Sequence, residues 1–349
     1  MIKTFRLLLP LLLAGSAFGQ NPTYQKPESP VPVITGFGGF TTTFEPGQQT
    51  LQPTIAPILL IPLGQNWLIE GEGEFAGSYT HQTSQPWQRQ WDKGLEYLQV
   101  DYFANRYVTI VGGRFLTPFG IFNERLHSGW IRNTPIAPLI AESLEMTDST
   151  GGMLRGGLSI APNAQLNYAA YFSAASTVKG LVATRAAGGR ASIFLPKQRL
   201  ELGASYQRRL QDDHINTFGF DLIWQSNAAP FDVRAEYAHN PEQGSGYWIE
   251  GAYRTRKLRF ARPFFRKSQA FLRFEQVFAP SGMASTTGGN SMDAPFTDAQ
   301  RFFAGWNYWI KPDVKASFAY GRNFSTEDDH NLWVLGITYR FSVPLGRVR

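Results

Sequence analysis

Glu70, Glu72 and Glu74 stand at alternate positions in WLIEGEGEFAGSY. In an extended segment the three carboxylates share one face, because successive side chains of a strand point to opposite sides. Such a row can hold a cation weakly or pair with arginines of neighbouring strands. Pairing is the expectation, since Arg is spread along the chain, often one to an extended segment. A second group falls within VGGRFLTPFGIFNERLHSGWIR: Arg114, Glu124, Arg125, His127 and Arg132. His127 and Ser128 are adjacent, but a nucleophilic serine needs a positioned base and a third group to orient it. No recognisable motif surrounds this pair. The remaining histidines, His81, His214, His239 and His330, fall in connections or near the ends of extended runs. The chain has no Cys, which excludes disulfides, thiolate sites and a lipidated cysteine. The expectation is no catalytic residue, no metal centre and no cofactor; nucleotide-binding fingerprints are absent too.

The elements that carry these residues are read from period-two alternation, which starts after a Pro-rich entry (Pro22, Pro27, Pro30, Pro32) and runs to the C-terminus. In FDVRAEYAH, Phe231, Val233, Ala235 and Tyr237 oppose Asp232, Arg234 and Glu236. The segments 200–207, 314–320 and 333–341 read alike. Many runs are about 10–13 residues, the length of a tilted membrane-spanning strand and longer than a typical soluble one. About sixteen such runs are predicted: 33–44, 52–62, 66–80, 94–104, 106–117, 150–161, 163–174, 187–195, 197–209, 214–226, 229–240, 245–256, 268–279, 299–311, 313–324 and 329–342. Connections sort into two classes. Tight ones include 63–65, Asn105, Pro162, Pro196, 227–228 and Pro312, with one basic exception, KLRFARPFFRK at 257–267. Long polar ones cover 81–93, 118–149, 175–186 and 280–298. Short turns on one side and long loops on the other mark an outer-membrane barrel. The expected fold class is therefore all-β: a transmembrane antiparallel β-barrel of residues 33–349, with both termini periplasmic.

Composition agrees. The mean hydropathy of −0.24 is too polar for a helical membrane protein. The 27 Phe, 14 Tyr, 9 Trp and 34 Gly suit a wall that alternates between lipid and lumen. Trp67, Tyr79, Tyr107, Trp224, Tyr237, Trp309 and Tyr320 sit near run ends, as an aromatic girdle would. Residues 1–19 read as a cleaved signal peptide: Lys3 and Arg6, the apolar run Leu7 to Leu13, then Ala17-Phe18-Gly19 before the cleavage point. Residues 20–32 form a short periplasmic lead-in. The net charge of +6 falls to about +4 without Lys3 and Arg6, a dispersed excess that does not suggest nucleic acid.

The segment 118–149 mixes charge with Phe122, Leu126, Trp130, Ile131, Leu139 and Ile140. A freely solvated loop has little use for that apolar content, whereas a loop folded into the barrel does. It is the expected constriction, with Arg114, Glu124, Arg125, His127 and Arg132 expected to line it. The lumen wall is expected to carry Arg155, Arg234, Arg273, Glu70, Glu72 and Glu74, a balanced set that announces no selectivity.

VGGRFLTPFGIFNE resembles the strand-and-loop segment of the phosphate-selective porins of the O and P type, through Gly113, Phe115, Pro118, Phe119, Gly120 and Glu124. The resemblance implies a trimeric porin passing small hydrophilic solutes, including anions such as phosphate. Its partners would be outer-membrane lipid and lipopolysaccharide. Glu70, Glu72 and Glu74, and the lack of a dense inward Arg ladder, depart from an anion channel. A plugged structural or adhesion barrel and a lipid-modifying barrel enzyme stay open as alternatives.

Overall fold

The computed structural model describes residues 31–144, 147–178, 182–211, 214–257, 261–280, 298–325 and 329–346. The signal segment 1–19, most of the lead-in 20–32 and nearly all of 280–298 lie outside the described residues.

Sixteen antiparallel strands form a closed barrel. In chain order they are β1 (Val33–Glu45), β2 (Gln48–Leu63), β3 (Trp67–Gln82), β4 (Gln88–Phe103), β5 (Val108–Leu116), β6 (Asp148–Ala161), β7 (Ala164–Ser173) and β8 (Ala186–Leu195). They continue as β9 (Leu200–Arg209), β10 (Asn216–Gln225), β11 (Phe231–Asn240), β12 (Gly244–Arg254), β13 (Ser268–Phe278), β14 (Ala299–Lys311), β15 (Val314–Ser325) and β16 (His330–Pro344). Each strand pairs with its sequence neighbours, and β1 closes on β16 in a register running from Val33 opposite Pro344 to Phe44 opposite Trp333. Closure matters because a strand edge in hydrocarbon would leave backbone groups without partners.

Alternation divides the wall as the sequence predicts. Outward positions are apolar and uncovered: Phe220 is 60% exposed, Leu272 56%, Ile55 49% and Leu202 48%. A band of that size is untenable in water and is what a bilayer covers. Inward positions on the same strands are polar and buried, among them Glu201, Asp221, Glu236, Glu250, Glu275 and Lys315.

Two expectations are corrected, and one feature not read from the sequence is added. Residues 45–51 and 81–93 are mostly strand: β2 begins at Gln48, β3 runs to Gln82 and β4 starts at Gln88. Beyond the bilayer both faces of a hairpin are wet, so apolar alternation lapses while the ladder continues. Trp309 does not belong to the girdle. It pairs with inward Lys315 and shares the parity of buried Asn307. Finally, the inward face is not uniformly polar. Phe271, Phe303, Leu332 and Val334 form one buried apolar patch there, and Val111, Phe115, Met153 and Tyr171 another.

Candidate pore constriction

After β5 the chain turns into the barrel at Pro118-Phe119-Gly120. The Phe119 ring seats against Gly219 of β10, where an added Cβ would lie 2.7 Å from it. Gly120 has φ +62°, and a Cβ there would stand 1.3 Å from the Glu236 carboxylate, so glycine is required on both counts. The Gly120 N–H donates to Ser205 Oγ (3.0 Å). Those of Ile121 and Phe122 donate to Glu236 Oε2 (3.2 and 3.1 Å). A short helix, α1 (Phe122–Arg125), follows. Loop residues Phe119, Ile121, Phe122, Leu126, Ile140 and Leu144 then pack with Ala238, Trp248 and Val277 of the wall.

The segment is tied to the wall strand by strand. Arg125 grips Glu201 with both terminal nitrogens (2.5 and 2.7 Å). His127 Nε2 lies 3.5 Å from Glu96. Gly129 abuts Phe37. Trp130 lies beneath Lys315 and Arg340, and Lys315 Nζ donates to the carbonyls of Trp130 and Arg132 (2.9 and 2.7 Å). Asn133 and Thr134 donate to Glu250, both at 2.8 Å. Arg273 donates to Ile136 O and Arg301 to Ala137 O, each at 2.8 Å. The N–H of Leu139, which opens α2 (Leu139–Ser143), donates to Glu275 Oε2 (2.8 Å).

These contacts give the buried lumen charges a reason. Irregular backbone inside a barrel has no ladder to satisfy it, and an unpaired buried amide or carbonyl is costly. The wall supplies acceptors through Glu236, Glu250 and Glu275, and donors through Arg273, Arg301 and Lys315. The charges of β11–β15 thus anchor the loop.

On β3, β4 and β6, Glu70, Asp101 and Arg155 pair within the wall instead. Arg155 meets Asp101 at 2.6 Å and Glu70 at 3.6 Å, and its side chain is 37% exposed to the lumen. Gln99 bridges Glu70 and Asp101 (2.7 and 2.9 Å). Glu124, half-buried on α1, is within electrostatic reach of Arg155 and Arg190. Glu72, Glu74 and Glu96 all act on Arg132 from the β3–β4 wall.

The structure therefore brings Glu124, Arg125, His127 and Arg132 together with Glu70, Glu72, Glu74 and Arg155. Arg132 is turned into the loop, donating to the carbonyls of Leu126 and His127 across the Phe122 ring. Arg114 lies apart. It pairs with Asp148 at 2.8 Å and donates to Val182 O of the β7–β8 connection. Arg234 pairs with Asp232 (3.6 Å) and, with Arg273, lines a small cavity behind the loop.

Two residues escaped the sequence reading. Arg190 holds Asp221 at 2.6 and 2.8 Å and reaches Glu201 at 3.3 Å. Its strand, AAGGRASIFL, is so rich in small residues that alternation is faint. Glu96 is the extra residue of a β-bulge, where pairing steps from Glu72–Tyr97 to Gly73–Leu95. A bulge places two successive side chains on one side, and no alternation rule finds it.

Burial, and secondarily the Arg132 cation, lower the His127 pKa to about 4. Arg132, lowered to about 10 chiefly by burial, keeps its charge at neutral pH. His127 is thus neutral from pH 5 to 8. As pH falls from about 6.5 toward 4 the unfolded chain takes up a proton that the docked loop refuses, so stability drops with acid. The contribution is at most about 3 kcal/mol. His127→Gln should shrink the fall in melting temperature between pH 7 and pH 4; an unchanged fall would show that the ring titrates normally.

Solved structures that superpose on this barrel include three outer-membrane proteins. A loop L8 deletion mutant of OmpT from Vibrio cholerae matches at TM-score 0.57 and 12% identity, covering 89% of this chain and 100% of that one. Salmonella typhi OmpF, in complex with daunomycin, matches at 0.55 and 13%, covering 89% and 97%. The anion-selective porin from Comamonas acidovorans matches at 0.54 and 8%, covering 89% and 99%. The fold is that of the outer-membrane porins. No family model and no curated protein matches the sequence. At such identities the likeness speaks for the porin fold alone.

Proposed function

We propose that this chain is a bacterial outer-membrane channel through which small hydrophilic solutes diffuse, narrowed by the inward segment 117–147. The observation that carries this reading is the docking of that segment. It is held against the wall by side chains from β9 to β16, while Arg155 and Glu70 of the opposite wall stay partly exposed. The passage runs between α1, with Glu124 and Arg125, and the wall around Glu70 and Arg155, with His127 against Glu96 at its edge. In this reading both termini and the short turns face the periplasm. Lipopolysaccharide surrounds the outer half, and the barrel assembles as a homotrimer.

The lining carries both signs. Arg125 and Arg155 are each engaged by carboxylates, and the Pro118-Phe119-Gly120 motif turns the chain inward without presenting a solute ligand. Weak ion selectivity follows, with no dedicated phosphate site. Planar-bilayer recording under a salt gradient tests this. Discrete open steps with a small reversal potential are expected. A strongly anion-directed reversal, with chloride current blocked by added phosphate, would establish the phosphate-selective reading instead. A folded barrel that never opens would favour a plugged structural barrel.

A further inference from the structure

The β12–β13 connection is out of keeping with its neighbours. Adjoining short-side turns are tight, whereas this one spans 255–267 and contains a helical turn, α3 (Arg262–Phe265). That turn lies on the outside of the barrel. Phe264 stacks on Tyr308 (5.0 Å, 15°) and Trp306 (6.0 Å, 8°). Both partners point outward, because they alternate with buried, inward Asn307. Trp306 pairs across to Phe318, which is 43% exposed on the lipid-facing band. Phe264, itself 44% exposed, therefore extends the apolar belt at its short-turn edge.

Cations accumulate on this connection and on the adjoining end of β14. Arg256, Arg262, Arg266, Lys267 and Lys311 are exposed, and among the described residues none has a carboxylate within ion-pair distance. Inside the barrel Arg155, Arg190, Arg273 and Arg301 are matched by acid or by loop carbonyls; here five exposed cations share no carboxylate. Unmatched cations beside an aromatic ring at the edge of a lipid-facing band fit a phosphate-bearing headgroup whose acyl chains lie along the barrel.

We propose that this turn binds an anionic phospholipid of the inner leaflet, with Phe264 against the glycerol and upper acyl region and Arg262, Arg266 and Lys267 around the headgroup. The proposal rests on the topology given above, which places short turns in the periplasm.

The test is native mass spectrometry of the full chain in detergent, with added phosphatidylglycerol or phosphatidylcholine. The wild-type barrel is expected to retain phosphatidylglycerol in preference to phosphatidylcholine. Removing three interfacial cations in Arg262→Gln/Arg266→Gln/Lys267→Gln should lower that retention about tenfold or more. Equal retention of the two lipids by the wild type, or undiminished retention by the variant, overturns the site. Full displacement of the lipid by millimolar inorganic phosphate would make it a free-phosphate site and overturn the lipid assignment. Bilayer conductance of the same preparations separates this proposal from the channel reading, since α3 lies outside the passage. Should the triple variant not fold, Arg262→Gln and Lys267→Gln singly should each reduce retention by a smaller factor; no reduction in either overturns the site equally.

Discussion

Replacing residues 122–145 by a short Gly–Ser linker is expected to raise single-channel conductance several-fold. A sixteen-stranded barrel is too wide for wall side chains alone to fill, and in the proposed reading the inward segment sets the narrowest section. Its removal also strips the loop partners from Glu250, Glu275, Arg273 and Lys315, which then face water as charged groups. Noise and ion flux should both rise, and the reversal potential should move toward that of a wide aqueous pore. The control is a barrel whose resistance to denaturation on gels remains intact. Unchanged conductance in such a barrel would mean that the passage is set elsewhere, and the proposed constriction would be abandoned.

Glu275→Ala is expected to have the largest effect of any single substitution on stability. Glu275 is fully buried and accepts from Arg301 Nε (2.6 Å), Arg273 (3.3 Å) and the Leu139 N–H (2.8 Å). Deleting the carboxylate removes the anion that both guanidiniums contact and takes from the first amide of α2 its Glu275 acceptor. Breaking a buried charge network by removing one partner costs about 3–5 kcal/mol. Glu275→Gln keeps an acceptor and should fall between Ala and the wild type. Thermal melting of both variants, read with open-channel current, checks this. The Ala variant should melt well below the wild type and gate noisily as residues 136–140 detach. A shift of less than about 1 kcal/mol would show that lumen water screens the pair as it does a surface salt bridge.

Most of the wall was legible in the sequence for a physical reason. A bilayer on one side and water on the other force opposite chemistry on successive residues, and FDVRAEYAH or ELGASYQ can hardly be read otherwise. Legibility failed where that force is missing. Above the bilayer, Gln48 to Leu51 and Gln88 to Lys93 are wet on both faces, so strand reads as loop. Under the inward segment, Leu332 and Val334 face in because a loop covers them, not lipid. Of the candidate site, the apolar content of Phe122, Leu126 and Ile140 announced an inward fold. Which carboxylate meets which amide did not show, since Glu236 and Glu250 sit more than a hundred residues from their loop partners. Arg132 illustrates the same limit: its charge was visible, but not that its own loop carbonyls would claim it.

Those long separations also set an order of events. Lys315 holds Trp130 across 185 positions in the chain, and Arg301 holds Ala137 across 164. Residues 117–147 leave the wall between β5 and β6, yet nearly all their anchors belong to strands made later. The segment has no berth until the second half of the cylinder has been threaded and joined to β1. If this segment narrows the lumen as proposed, narrowing is a late step of assembly. A half-built barrel is wide and charged inside, and only a completed one acquires its aperture.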